Sequence, residues 1–244
     1  MLLGKHILSK NNNIYKPLEE YIPSGTNPDY YNVISDDELL IKSSFNMTLP
    51  KGEYFFAGCG GGGRSGGNGD RGWNSVRGGG GGGSSKLVEL DNYNLSSEEL
   101  FKLQVGASAS STTISVSDNI ILNAPAGPSG SNDTPGAGGG YGTTMGNRGG
   151  NGTTYISGLP GGGTMGTYHD VGGGGGGAGS QFPYVIEVGK TVKAANGWTG
   201  RYADGYGGTG FGAGGGGYSG CYDYYCSGRV SAGAPGAIYI KRYK

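Results

Sequence analysis

Short runs in which hydrophobic and polar residues alternate recur along the chain, and this pattern predicts β-strands. The runs are rich in β-branched and aromatic residues, and turn-forming groups such as Pro50-Lys-Gly52 and Ser117-Asp-Asn119 separate them. The predicted strands cover residues 45–49, 53–57, 86–90, 101–105, 112–116, 119–123, 184–188, 191–194 and 237–242. Helix signals are few: Ser96-Ser-Glu-Glu99 fits a capping box, and Ser35-Asp-Asp-Glu38 leads into Leu39-Leu-Ile41. Each of these two sites predicts one short helical turn in a mainly β protein.

Glycine separates these runs: 58 of the 244 residues are glycine, and all but three lie between Gly58 and Gly236. Flexible linkers are usually poor in aromatic residues, whereas this chain has 18 Tyr, 6 Phe and 2 Trp, many of them at the ends of the glycine tracts. Gly allows polyproline II helices to pack closely enough to exchange backbone hydrogen bonds. We therefore expect a mainly β fold with irregular structure: a short-stranded β-sandwich or jelly-roll-like part and a packed bundle of glycine-rich polyproline II helices.

The loops between the glycine tracts combine aromatic residues with Arg, Asn, Ser and Thr, the combination that antibody loops use for binding. The same aromatic residues suit the stacking of sugar rings. These loops predict a binding surface, and the alternative for any single Tyr is that it only caps the end of the bundle. The candidate binding residues are Arg71, Trp73, Tyr141, Arg148, Tyr155, Tyr168, His169, Trp198, Arg201, Tyr202, Tyr206, Tyr218, Tyr222, Tyr224 and Tyr225.

Charge and motif content argue against several other functions. Lys and Arg number 18, as do Asp and Glu, so the basic excess of nucleic-acid or membrane-surface binders is missing. His6, His169 and the three cysteines have no zinc-site spacing, although Cys221 and Cys226 could form a disulfide. No nucleophile–base pair or carboxylate pair stands out. We expect a non-enzyme without cofactor, metal or nucleic-acid partner, and neither a secretory signal nor a membrane-spanning segment.

The entry and exit of the glycine-rich region resemble a known family. Pro50-Lys-Gly-Glu-Tyr-Phe-Phe-Ala-Gly-Cys-Gly-Gly-Gly-Gly63, Leu103-Gln-Val-Gly106 and Gly233-Ala-Pro-Gly-Ala-Ile-Tyr-Ile-Lys-Arg242 resemble the first tract and flanking strands of the glycine-rich domains of bacteriophage tail-fibre proteins. The region is also similar to the tip adhesins of T-even-like phages. The resemblance covers roughly residues 45–244, and it implies that the loops bind a glycan or an outer-membrane protein on the host surface.

The resemblance further implies a virion component that is made in the cytoplasm of the bacterial host and carried on a tail fibre. Residues 1–44 then form an arm that attaches residues 45–244 to a fibre or baseplate protein, either as a monomer on a trimeric fibre or as a homotrimer. The candidate attachment residues are Tyr15, Leu18, Tyr21, Tyr30 and Tyr31. Alternatives are a structural fibre, collar or decoration protein without a receptor role, an ice-binding protein, and an RNA binder that uses the Arg-Gly-Gly sequences at Arg77 and Arg148.

Overall fold

A computed structural model describes residues 16–64, 82–129, 182–184, 210–215 and 232–243 of the chain. The strand predicted at 191–194, nearly all of the one predicted at 184–188, and the Cys221–Cys226 pair lie outside these residues.

The described residues form nine strands and two short 3₁₀ helices, Leu18–Tyr21 and Pro28–Tyr30, with no α-helix among them. A mainly β fold is therefore confirmed. The strands are β1 Tyr31–Ser35, β2 Glu38–Ile41, β3 Phe45–Leu49, β4 Gly52–Cys59, β5 Leu87–Leu95, β6 Glu99–Gln104, β7 Thr112–Val116, β8 Asn119–Ala124 and β9 Ala237–Tyr243.

The strands form two antiparallel sheets that enclose one hydrophobic core. The five-stranded sheet has the order β1-β2-β9-β4-β5, and the four-stranded sheet has the order β3-β6-β7-β8. Alternate residues of each sheet point inward, so Phe56 and Ile240 from one sheet share the core with Met47, Phe101 and Ile114 from the other. The strand that is last in sequence, β9, lies between β2 and β4 in the five-stranded sheet. The sheet is therefore complete only when residues 237–243 have joined it.

Both helical turns predicted from the sequence are wrong. Ser35 and Glu38 flank the turn of a β-hairpin, and Leu39–Ile41 belong to β2. These three residues are apolar without alternation because β2 lies between β1 and β9 and is covered on both faces. The capping-box sequence is the connection from β5 to β6, and Glu99 is the first residue of β6.

The described part of the predicted attachment arm is a folded part of the domain. β1 and β2 belong to the five-stranded sheet, so no break in the structure falls at residue 44. Leu18 is fully buried in the core, and its helix contacts β2 of the five-stranded sheet and β3 of the four-stranded sheet. Leu18 is therefore not available to a partner of the folded domain, contrary to the role predicted for it.

A buried ion pair joins this N-terminal segment to β9. Arg242 donates from Nε to Oδ1 of Asp37 at 3.0 Å and from Nη2 to the carbonyl oxygen of Lys16 at 2.8 Å. Both charged side chains are buried, so each depends on the other for the solvation that water would otherwise supply. The pair fixes the β1–β2 turn and residue 16 at the end of β9.

We expect the loss of one member of this pair to destabilise the domain strongly. The change Asp37→Ala leaves the Arg242 guanidinium buried without its anion, which typically costs about 3–5 kcal/mol of unfolding free energy. Lys241→Ala is the control, because its ion pair with Glu38 is partly exposed and worth less than about 1 kcal/mol. Urea unfolding of the two variants measures the difference, and equal small losses would contradict the structural role of the pair.

Candidate functional site

Six segments without regular strand structure meet at one end of the two sheets, and we call them the glycine lattice. Five of them lie next to a strand in the chain, and the sixth, residues 210–215, is hydrogen-bonded to them. We call this end of the sheets the lattice end, and we call the end that holds the β3–β4, β5–β6 and β7–β8 connections the turn end. The lattice consists of residues 60–64, 82–85, 106–111, 125–129, 210–215 and 232–236.

The segment 60–64 lies at the centre of the lattice, because its backbone groups bond to all five other segments. Its hydrogen bonds are 2.8–3.0 Å long, and successive N–H groups donate to different neighbours. The N–H groups of Gly61, Gly62 and Gly63 donate to the backbone oxygens of Ser110, Ala234 and Gly83, respectively. The backbone oxygens of Gly61, Gly62 and Gly63 accept from the N–H groups of Gly127, Ala109 and Gly215. Buried backbone groups that have no strand partner are thus paired between segments.

Glycine is required at the centre of the lattice because the neighbouring backbones leave no space for a side chain. A Cβ atom at Gly61 would lie 1.7 Å from the carbonyl oxygen of Ala107, and one at Gly62 would lie 1.8 Å from that of Ala213. Positive φ is not the reason, since among the described glycines it occurs at Gly25, Gly210 and Gly212. Glycine is needed at these central positions because it has no side chain, and not because of its backbone conformation.

The direction of the missing side chains repeats after three residues. The Cβ position of Gly60 faces the carbonyl oxygen of Pro125, and that of Gly63 again faces this segment, at Pro128. Gly61 and Gly62, between them, face two other segments. The central segment thus presents a different neighbour at each of three successive residues.

Every segment outside the described ranges between β4 and β9 joins the lattice at one end or both. Residues 65–81 connect two lattice residues, Arg64 and Gly82. Residues 130–181 follow the lattice residue Ser129, residues 185–209 precede Gly210, and residues 216–231 follow Gly215. All fifteen candidate binding residues, from Arg71 to Tyr225, belong to these four segments and lie outside the described residues.

The four candidate attachment residues that the structure describes differ in their exposure. Leu18 is in the core, and Tyr21 and Tyr31 are partly buried against it. Tyr30 is 38% exposed, and Tyr15 lies outside the part of the chain that the structure describes.

An aromatic cluster that the sequence did not predict covers the outer face of the five-stranded sheet beside the lattice. Tyr184 stacks on Tyr239 with ring centroids 4.6 Å apart, and Phe55, Phe182 and Phe211 complete the cluster. The signal in the sequence was the continuous apolar run at the end of β4 and the start of β9, which indicates strands that are covered on both faces.

The tyrosine hydroxyls of this cluster are paired with carboxylates. The hydroxyl of Tyr184 donates to Glu89 on β5. Burial raises the pKa of Tyr184, and the hydrogen bond to Glu89 raises it further. Burial and then the carboxylate of Glu38 raise the pKa of Tyr239. Both hydroxyls are therefore protonated at neutral pH, and they tie segment 182–184 and β9 to their neighbours.

The described ranges of the chain contain no helix long and apolar enough to cross a membrane. They contain no group of three or more His, Cys, Asp or Glu side chains that could hold a metal ion. Comparison with family models, with curated proteins and with solved structures finds no match for this chain.

The lattice geometry predicts that Gly62→Ala prevents folding, because its Cβ would clash with the rigid backbone at Ala213. The matched control is Gly52→Ala, since a Cβ at Gly52 would meet its nearest atom, in the Tyr54 ring, at an ordinary 3.4 Å. Thermal unfolding followed by circular dichroism measures both variants. A soluble Gly62→Ala protein that melts with the wild type would contradict the close packing of the lattice.

Cys59 should be unreactive in the folded protein. Burial raises the pKa of its thiol to about 12, so the reactive thiolate is scarce even at pH 9, and the side chain is enclosed where β4 enters the lattice. In a Cys221→Ser/Cys226→Ser variant, iodoacetamide at pH 9 should leave the Cys59 peptide unmodified until urea is added, as measured by mass spectrometry. Rapid modification without urea would show that this end of β4 opens readily.

Proposed function

We propose that this chain is the receptor-binding module of a bacteriophage tail fibre, which attaches to a glycan or an outer-membrane protein on the host surface. The observation that carries the proposal is the position of the four segments that hold the candidate binding residues. Each segment is anchored in the glycine lattice, so the fold brings their ends together although they span residues 65–231 of the chain.

The proposal includes a polyproline II bundle as the extension of the lattice. Two observations support it: the three-residue repeat of the Cβ directions from Gly60 to Gly63, and the backbone hydrogen bonds that run between segments rather than within them. Polyproline II helices have three residues per turn and no internal hydrogen bonds. A bundle of this kind lets long glycine tracts pack without side chains.

A rigid bundle would serve binding by holding aromatic loops in place before the receptor arrives. Ordering a flexible loop on binding costs free energy that a preorganised loop does not lose. Tyrosine and tryptophan offer large contact areas with few rotatable bonds, and they stack on sugar rings as well as on protein surfaces. The proposed activity is binding alone and involves neither a catalytic group nor a cofactor.

The proposal places the protein on the virion, after synthesis in the host cytoplasm, with a fibre or baseplate protein as its second partner. It is compatible with one copy on a trimeric fibre and with a homotrimer. Because Leu18 is buried, the attachment surface does not include it.

The test is the adsorption of purified, fluorescently labelled chain to susceptible cells. Trp198→Ala and Trp73→Ala should each weaken adsorption by about tenfold or more, because aromatic anchors dominate such interfaces, and should leave the melting temperature nearly unchanged. Tyr243→Ala is the matched control: it removes a partly buried aromatic side chain from the last residue of β9, opposite Glu53 at the turn end, and adsorption should persist.

Two outcomes would contradict the receptor role. If a well-folded wild-type chain does not adsorb, a structural virion protein is the better interpretation. If the tryptophan variants lose adsorption and thermal stability together, these residues pack within the protein instead of contacting a receptor.

A further inference from the structure

The outer face of the four-stranded sheet carries a groove near the turn end. The strand register places Asn46, Lys102, Ser115 and Ile120 in one row across β3, β6, β7 and β8. Leu100 lies one pleat further toward the turn end on β6, opposite Thr48. The groove has a volume of about 540 Å³ and lies between β3, β6 and the β7–β8 turn.

Two apolar side chains are exposed on this face of the sheet: Leu100 lines the groove, and Ile120 lies beside it, opposite Ser115. Leu100 is 59% exposed and Ile120 is 61% exposed, whereas Ser115 between their strands is only 8% exposed. The rim has charges of both signs, with Glu99 and Asp118 against Lys102. The lining thus combines the apolar side chain of Leu100 with polar and charged ones, and protein–protein interfaces that form and separate are no more apolar than the rest of a protein surface.

The groove is at the end of the sheets where the chain enters the domain. The carbonyl oxygen of Lys16 accepts a hydrogen bond from Arg242 near the end of β9, so residue 16 lies at the turn end. β9 also ends there, at Tyr243, whereas it begins at the lattice. The parts of the chain before residue 16 and after residue 243 therefore connect to the domain at the turn end. The four segments with the candidate binding residues, in contrast, connect to it at the lattice end.

We propose that the groove around Leu100 is the surface through which another virion protein holds this domain. The partner places an aliphatic side chain between Leu100 and Ile120 and a basic side chain toward Glu99 and Asp118. The two apolar residues are aliphatic and not aromatic, which favours a protein over a glycan. Two carboxylates against one lysine disfavour the phosphates of a nucleic acid. This assignment rests on the proposed function, and it leaves the lattice end facing away from the fibre.

The test separates attachment to the particle from binding to the cell. Virus particles are produced with the Leu100→Lys variant, purified and analysed for the amount of this chain they carry. The amount should fall about tenfold or more, because a central apolar contact is lost and a like charge faces the basic group of the partner. The purified variant should melt normally and still adsorb to cells.

Two further variants make the result specific. Asn123→Lys adds the same charge on the same face at an exposed position of β8 nearer the lattice, and particles should retain it. Asp118→Asn removes a rim charge while keeping a residue that tolerates the left-handed backbone at φ 63°, and the amount on particles should fall several-fold. It also tests the groove if Leu100→Lys fails to fold.

Each outcome decides between the two proposals. Unchanged amounts of Leu100→Lys and Asp118→Asn on particles would overturn the groove as the attachment surface, as would the absence of wild-type chain from particles. Loss of cell adsorption by a folded Leu100→Lys chain that stays on particles would reverse the orientation. If the wild-type chain does not adsorb to cells but the groove variants still leave the particles, the receptor role fails and the attachment surface stands.

Discussion

The close approach of backbones around residues 60–63 is the constraint on which the rest of the molecule depends. Four successive glycines bring five other segments close enough for direct backbone hydrogen bonds, and a single methyl group would prevent this. These segments continue β4 and β8 and lead into β5 and β9, so the lattice and the two sheets hold the same strand ends together. In the lattice, hydrogen bonds between glycine backbones hold the segments together in place of contacts between side chains.

The two ends of the sheets differ in what the topology places there. The four long segments between β4 and β9 are anchored at the lattice, whereas the short turns, residue 16 and the end of β9 lie at the other end. The buried Arg242–Asp37 pair links the first described residues to the last strand. The receptor contact and the carrier contact that we propose need this separation, since the two contacts then do not compete.

Local patterns in the sequence predicted many of the individual strands, but they did not predict how these strands pair into two sheets. Strands β3 and β7 match the predicted residues 45–49 and 112–116, and the predicted turn at Ser117 and Asp118 has positive φ at both residues. β1 was missed and β2 misassigned because an edge strand and a doubly covered strand both lack clear alternation. The place of β9 and the pairing of the glycine tracts could not be predicted, because a glycine run carries no side-chain pattern that distinguishes one neighbour from another. The candidate binding residues remain predictions, since they lie outside the described ranges.

Amide hydrogen exchange measured by NMR tests the central claim most directly, because it reports whether the glycine lattice is ordered in solution. The account predicts that the amides of Gly61, Gly62 and Gly63 exchange as slowly as those in the middle of β4 and β9, since they open only when the sheets do. Exchange at nearly the rate of an unstructured peptide, with protection confined to the strands, would contradict it. The glycine tracts would then be flexible connections, and no rigid support would exist for the aromatic segments.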